Sequence, residues 1–422
     1  MSMRGRRPAR LTDDGVLLVV VLVVSAVLVA VAAVGAGRDT VTASFVPPGG
    51  LPPSAAPPAP ASARPSLSTA PQTLDACAAA AVAKLSLEAQ VGQLLMVGTK
   101  VASPADLADT VRRYHLGGVF LSGRSTAAAA TIRQGVQALQ AAATSSGGIP
   151  LQVGVDQEGG DVQTLKGVDF PPVPTAVEQG RWDAATLSSR TAAWAGRLLP
   201  AGVTIDLAPI ADTVPPSFVG SNPPIDGFQR QFGSTPEAVA NDVATVVTAI
   251  QSTGVLTTVK HFPGLGRVHA NTDQSASVTD SLTTVDDPFL APFAAGIRAG
   301  TAAVMVSLAR YTRLDPNSIA VYSQPIVTGL LRGKLGFTGL IMSDDLGSAD
   351  SAGGVPVGDR AVRFVTAGGD MVLTVRSSDA QPMTAALMAQ AQASPAFRAQ
   401  VTAAATRVLR TKFQAGLMTC VR

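Results

Sequence analysis

The sequence predicts a TIM-type (β/α)8 barrel, and three observations carry that prediction. Over about 340 residues, short strand-like runs alternate with helical stretches, the pattern of a parallel sheet covered by helices. Several runs end in polar residues, namely Asp156, Lys260 with His261, and Asp344 with Asp345. In a parallel barrel all C-terminal strand ends meet at one face, so these groups converge although they lie far apart in the chain. No Gly-x-Gly-x-x-Gly opens the first unit, which argues against an open dinucleotide-binding sheet. Of the 422 residues, 46% are hydrophobic and 14% charged, enough apolar material for a large core.

Residues 1–15 form a basic tail in which Arg4, Arg6, Arg7 and Arg10 precede an uncharged apolar run over 16–37. As a helix that run spans roughly 33 Å, enough for a bilayer core, and the arginines before it predict a cytoplasmic N-terminus. The expectation is an uncleaved single-pass anchor. The competing reading is a secretory signal peptide, because Ala30-Val31-Ala32 resembles a small-residue cleavage site. Residues 38–75 are rich in Pro, Ala and Ser and predict an extended spacer. The folded domain is then 76–422.

Within that domain Ser86 caps a helix over 86–95, and a strand follows at 117–121 with a helix at 127–145. The strand at 150–155 ends in Asp156-Gln157-Glu158-Gly159-Gly160. A helix at 184–199, a strand at 203–209 and a helix at 236–252 lead to the strand at 254–259. This strand delivers Lys260 and His261 to the rim. From 261 to about 285 no period is sustained, and an unpatterned segment that long inside a compact domain is expected to be functional. Helices at 288–299, 324–335 and 360–367 alternate with strands at 303–307, 339–342 and 370–373, and two helices finish near 417.

The formal charge of +3 is mostly in the tail, since residues 1–40 hold five Arg and three Asp. The remainder is nearly neutral and has no basic patch, which excludes a nucleic-acid partner. Cys77 and Cys420 stand at the two ends of the folded region, and in an oxidising compartment one bond would tie those ends together. Two unpaired thiols are the alternative.

Asp156-Gln157-Glu158-Gly159-Gly160, Arg230-Gln231-Phe232-Gly233, Lys260-His261-Phe262-Pro263-Gly264 and Ser343-Asp344-Asp345-Leu346 occur in the order and spacing of glycoside hydrolase family 3. The chain resembles the single-barrel bacterial β-N-acetylglucosaminidases of that family from about residue 85 to 417. The resemblance implies a retaining β-N-acetylhexosaminidase that needs no metal or organic cofactor. It makes Asp344 the nucleophile, attacking the anomeric carbon to form a glycosyl-enzyme. It makes Asp156, Arg230, Lys260 and His261 the residues that hold the hydroxyl groups of the innermost sugar. Asp345 is read as support for the strand end.

The sequence departs from the family at the acid/base. Where relatives read His in Lys-His-Phe-Pro-Gly-His-Gly, Leu265 stands here, and Asn271-Thr272-Asp273 occupies the place of an Asp-Ser-His whose histidine is the acid/base. Asp273 is the favoured replacement, acting as a carboxylic acid with a raised pKa, and His269 is the second candidate. The arginines that relatives carry after Gly-Gly are also replaced, by Asp161 and Thr164.

Two functions from different classes follow. The first is a membrane-anchored, monomeric exo-enzyme working outside the cell on amino sugars of the wall, with a β-glucosidase as the variant that would look much the same. The second is a sugar-binding descendant that lost turnover with its histidine.

Overall fold

The computed structural model describes residues 73–420, so the basic tail, the apolar run 16–37 and nearly all of the Pro-rich stretch lie outside the described residues. Among the described residues no helix is long and apolar enough to cross a membrane. Helix α1 (Leu74–Val82) begins inside the last residues read as spacer, where the Thr73 hydroxyl accepts from the Ala76 N–H. Cys77 on α1 is bonded to Cys420, with Cα atoms 5.6 Å apart.

Helix α2 (Leu87–Gln93) has the expected Ser86 cap but stops short of residue 95. Leu95–Lys100 forms strand β1, which the sequence pattern did not separate from the helix. Leu94-Leu95-Met96-Val97 is a continuous apolar run, and such a run suits a buried strand as well as a helix end. Closure of the sheet decides between them. β1 pairs with β2 (Gly118–Ser122) on one side and with the last strand on the other. A second unanticipated element, α3 (Ala108–Tyr114), connects β1 to β2.

The chain then runs α4 (Ala129–Thr144), β3 (Gln152–Val155), α5 (Ala184–Ala195), β4 (Ile205–Asp206), α6 (Pro236–Gln251), β5 (Leu256–Phe262), α7 (Ala291–Arg298) and β6 (Ala303–Val306). A π-helical segment (Pro325–Lys334), β7 (Leu340–Asp345), α8 (Val357–Ala367), β8 (Met371–Thr374), α9 (Ala380–Ala393) and α10 (Pro395–Gln414) complete it. The eight strands close as β1-β8-β7-β6-β5-β4-β3-β2, every pair parallel. Both faces of such a sheet are covered, which is why Leu95, Met96, Val97, Val153, Val155, Val304, Val306 and Ile341 are all buried whichever way they point.

The helices present one apolar stripe to the sheet. In α6, Val239, Val243, Val246, Val247 and Ile250 recur at helical spacing and are buried, each contributing about 1.5–3 kcal/mol on leaving water. Thr235 caps this helix and Pro236 opens it, where a missing N–H costs nothing. At the other end of the chain, α10 buries Lys412 completely, its ammonium donating to Gln93 Oε1 beside α2, and burial pushes that lysine well below its usual range.

Two strands carry a bulge at the end where the barrel opens. Between β5 and β6 the register passes from Val259↔Val304 to Phe262↔Val306, and between β7 and β8 from Met342↔Met371 to Asp345↔Leu373. In each case three steps on one strand face two on its neighbour, so one extra residue is accommodated and the side chains there are re-aimed. The extra residues fall at Lys260-His261 and at Ser343-Asp344.

Candidate active site

The bulges explain how neighbours in sequence share one cavity. In a regular strand, adjacent side chains point to opposite faces. Here Lys260 and His261 both line a cavity of about 440 Å³ at the C-terminal end of the barrel, and so do Asp344 and Asp345. Asp156, Arg230 and Asp273 line the same cavity, so six of the seven residues expected to carry chemistry or hold sugar are brought together.

The inner wall is a charged lattice. After β3 the chain continues into Asp156 and a short strand, Gln157–Gly159, and residues two apart in extended chain face the same way. Lys260 bridges the two carboxylates so presented, its ammonium 2.6 Å from Asp156 Oδ1 and 2.7 Å from Glu158 Oε1. Arg230 forks onto Glu158, Nε donating to Oε2 and Nη2 to Oε1, both at 2.8 Å, while Nη1 donates to the Pro224 carbonyl at 2.9 Å. Burial alone would push the Glu158 carboxyl up, but Arg230 and Lys260 outweigh it and hold it at about 2. Burial likewise opposes the charge on Lys260, and the Asp156 and Glu158 carboxylates overcome it, raising the lysine above its ordinary value. Glu158, Lys260 and Arg230 are therefore fixed in their charged forms.

His261 is held from behind. Its Nδ1 lies 2.7 Å from Oδ2 of Asp212, which is fully buried and also accepts the backbone N–H of His261 and, at 2.6 Å, of Leu265. The Asp212 contact orients the ring through Nδ1 and turns Nε2 toward Arg230, 3.5 Å from its Nη2.

Neither Glu158 nor Asp212 was named from sequence. Glu158 was legible in principle, two residues after Asp156 in an extended motif. Asp212 sits in no recognised motif, and its partner is 49 residues away.

Asp344 and Asp345 differ in what their oxygens do. Asp345 spends Oδ1 on the N–H groups of Gly347 and Val375, both at 2.9 Å, and Oδ2 on that of Ser348 at 3.0 Å, tying the end of β7 to the end of β8. It is the strand-end support expected of it. Asp344 accepts only the Asp345 N–H, at 2.8 Å, and its second oxygen faces the cavity without a protein donor among the described residues. A carboxylate left free in this way can act on a ligand.

Beneath the lattice, Asp206 on β4 is 2% exposed and accepts the Gln157 N–H. Burial is the main reason its carboxyl is pushed up to about 8, so it is protonated at neutral pH. The folded value lies above the ordinary 3.8, so between these two values the folded state holds a proton that the unfolded chain does not. This group's contribution to stability is complete below the lower value and is lost by about 1.4 kcal/mol per pH unit as pH rises through the window. Asp206→Asn can keep the bond from Gln157 and has no such window. Denaturation of both proteins from about pH 5 to pH 8 is expected to give a flatter profile for the variant, and parallel profiles would reject the protonated form.

The segment after β5 reaches over the cavity. An ideal Cβ on Gly266 would lie 1.8 Å from the Thr213 carbonyl oxygen, so only glycine allows this close approach. Asn222 is buried and donates to the carbonyls of Leu265 and Val268 at 2.7 and 2.9 Å, while Arg267 secures the far end through Thr283 and Asp287. Asp273 hangs from this loop at the cavity wall. The residue is open to solvent along the cavity, yet the protein around it partly desolvates the carboxyl, and this and then the negative charge of Asp344 raise it above the ordinary range, against the pull of His261 and Arg230.

His269, the other acid/base candidate, is not brought to the cavity. It stacks on Phe218 with ring centroids 4.8 Å apart, and its Nδ1 lies 3.2 Å from the Ser221 carbonyl. Its place in the loop follows from that aromatic contact, which a count of residues from the motif cannot reveal. At the mouth, Asp161 lines the cavity together with Arg124, whose guanidinium donates to the Asp161 carbonyl, whereas Thr164 lies buried elsewhere.

Residues 86–411 match the family model of the glycosyl hydrolase family 3 N-terminal domain. The chain belongs to glycosyl hydrolase family 3. Among family 3 relatives, a β-hexosaminidase of Stenotrophomonas maltophilia is 35% identical over 291 residues, covering 66% of this chain and 81% of that protein. A β-hexosaminidase of Mycobacterium tuberculosis is 30% identical over 305 residues, covering 70% of this chain and 75% of that one. The crystal structure of a β-N-acetylhexosaminidase from Beutenbergia cavernae superposes with a TM-score of 0.77 at 45% identity, covering 78% of this chain and 99% of its own. This family 3 member is thus a glycoside hydrolase whose barrel carries the cavity at the strand ends where that fold places its chemistry.

Proposed function

We propose that the protein is a retaining exo-β-N-acetylhexosaminidase that removes terminal N-acetylglucosamine from wall-derived glycans. The observation that carries this reading is the pair Asp344 and Asp273 in one cavity: a carboxylate with a free oxygen and a second carboxyl pushed toward its protonated form. Two carboxyl groups in unequal environments are the equipment of glycoside cleavage.

In the first step Asp344 attacks the anomeric carbon while Asp273 gives its proton to the departing glycosidic oxygen. Asp273, now ionised, then takes a proton from water, which attacks the glycosyl-enzyme and frees Asp344. Asp156, Lys260, Arg230 and His261 supply fixed donors and acceptors for the hydroxyls of the bound sugar, and they are already oriented by Glu158 and Asp212 before any ligand arrives.

The relatives named β-hexosaminidase support the amino sugar, and a cavity of about 440 Å³ suits a short terminal unit. The apolar run 16–37 behind four arginines supports a single-pass anchor with the barrel outside the cell, held off the membrane by the Pro-rich spacer.

The test is hydrolysis of chitobiose and of an aryl N-acetylglucosaminide by the full chain, followed by NMR of the first sugar released. The β-anomer should appear first, and the matching aryl glucoside should react at least about tenfold more slowly, a factor worth about 1.4 kcal/mol in transition-state binding. An α-anomer first would overturn retention. Preference for the glucoside would make the enzyme a β-glucosidase, and binding without turnover would make it the sugar-binding descendant.

A further inference from the structure

The loop that carries Asp273 is bound on both sides of that residue by a single serine from another loop. The backbone N–H of Ser351 donates to the Thr272 carbonyl at 3.1 Å, and its hydroxyl donates to the Ser275 carbonyl at 2.6 Å. Asp273 lies between these two anchor points, and the Asn271 side chain accepts its N–H at 3.0 Å, completing a local turn.

Ser351 belongs to the segment that leaves β7 after Asp345, the neighbour of Asp344, and that segment is itself fixed. Asp345 holds the N–H groups of Gly347 and Ser348, and the buried Arg360 donates to the carbonyls of Leu346, Gly347 and Val355. Ala349 and Ala352, on either side, are buried. A rigid base thus grips an otherwise irregular loop at the one place where a carboxyl must be presented.

We propose that Ser351 is a positioning residue for the acid/base, locking Asp273 to the segment that follows Asp344 so that the proton donor and the nucleophile keep a fixed separation. The inference rests on the assignment of Asp273 above. In the step that expels the aglycone, reported by kcat/KM, a misplaced acid fails only where the leaving group needs a proton, so that defect depends on the aglycone, whereas general loosening of the barrel depresses every substrate alike.

The experiment compares wild type, Ser351→Ala, Ser351→Thr and Asp273→Asn on chitobiose and on a 2,4-dinitrophenyl N-acetylglucosaminide, whose leaving group departs without help. Ser351→Ala is expected to lose about tenfold in kcat/KM on chitobiose and less than about twofold in kcat/KM on the activated glycoside; Ser351→Thr, which keeps a hydroxyl, should recover most of the loss. Equal losses on both substrates, or no loss on either, would overturn the proposal while Asp273→Asn still behaves as an acid/base variant. Full chitobiose activity in Asp273→Asn would instead remove the assignment on which it stands.

Discussion

Replacing Asp344 with Asn is expected to lower kcat/KM by about 10⁴-fold or more on every substrate, activated or not, because it removes the atom that forms the covalent intermediate. The substitution is nearly isosteric, and an amide oxygen can still accept the Asp345 N–H that Asp344 accepts now. The fold is therefore undisturbed and the loss is chemical. Aryl glycoside kinetics check the magnitude, and trapping with a 5-fluoro glycosyl fluoride checks the residue. Wild type should gain the mass of one sugar on the peptide containing Asp344, and the variant none. Activity within about tenfold of wild type, or a label on another peptide, would remove Asp344 from the role.

The second large effect is at Asp273, and its signature is selectivity. Asp273→Asn is expected to cost about 10²- to 10⁴-fold on chitobiose, the usual worth of a positioned acid, and far less on a dinitrophenyl glycoside. The pH dependence carries a sign. As the acid, Asp273 must be protonated in the free enzyme, and burial together with the Asp344 charge raises its carboxyl above the ordinary value. Activity is therefore retained to higher pH than an aspartate at its ordinary value would permit and falls as pH rises through the raised value. In Asp273→Asn that basic limb should vanish from the kcat/KM profile of the residual activity on chitobiose. In Asp273→Ala, azide should restore turnover and appear as a glycosyl azide, because a small anion can attack the intermediate without a general base. A basic limb unchanged in the Asn variant, with no azide product, would exclude Asp273 as the acid/base.

The barrel was legible because its parts repeat. Seven of the eight strands stand out as short apolar runs between helical stretches, and only β1 was lost, since its apolar run continues without a break from α2. The polar strand ends pointed to the cavity, and Asp156, Lys260, His261 and Asp344 all face it. What sequence order could not supply was contact at a distance. Glu158 is defined as a site residue by Arg230, 72 positions away, and Asp212 by His261. Nor could spacing decide between the two loop candidates, because a stacking contact with Phe218 draws His269 away while a serine from the β7 loop brackets Asp273. Helix ends and bulges were likewise set by closure of the sheet, a property of the whole chain and not of any window within it.

The bond between Cys77 and Cys420 spans 343 positions and so turns nearly the whole described chain into a ring. A ring has no first strand. A single cut in any surface connection leaves one covalent molecule in which the same eight strands follow one another in rotated order, a permuted barrel with new ends at the cut. Only reduction together with the cut releases a fragment. Cleavage at one loop then becomes a change of connectivity without the release of a fragment, and each strand keeps both of its neighbours.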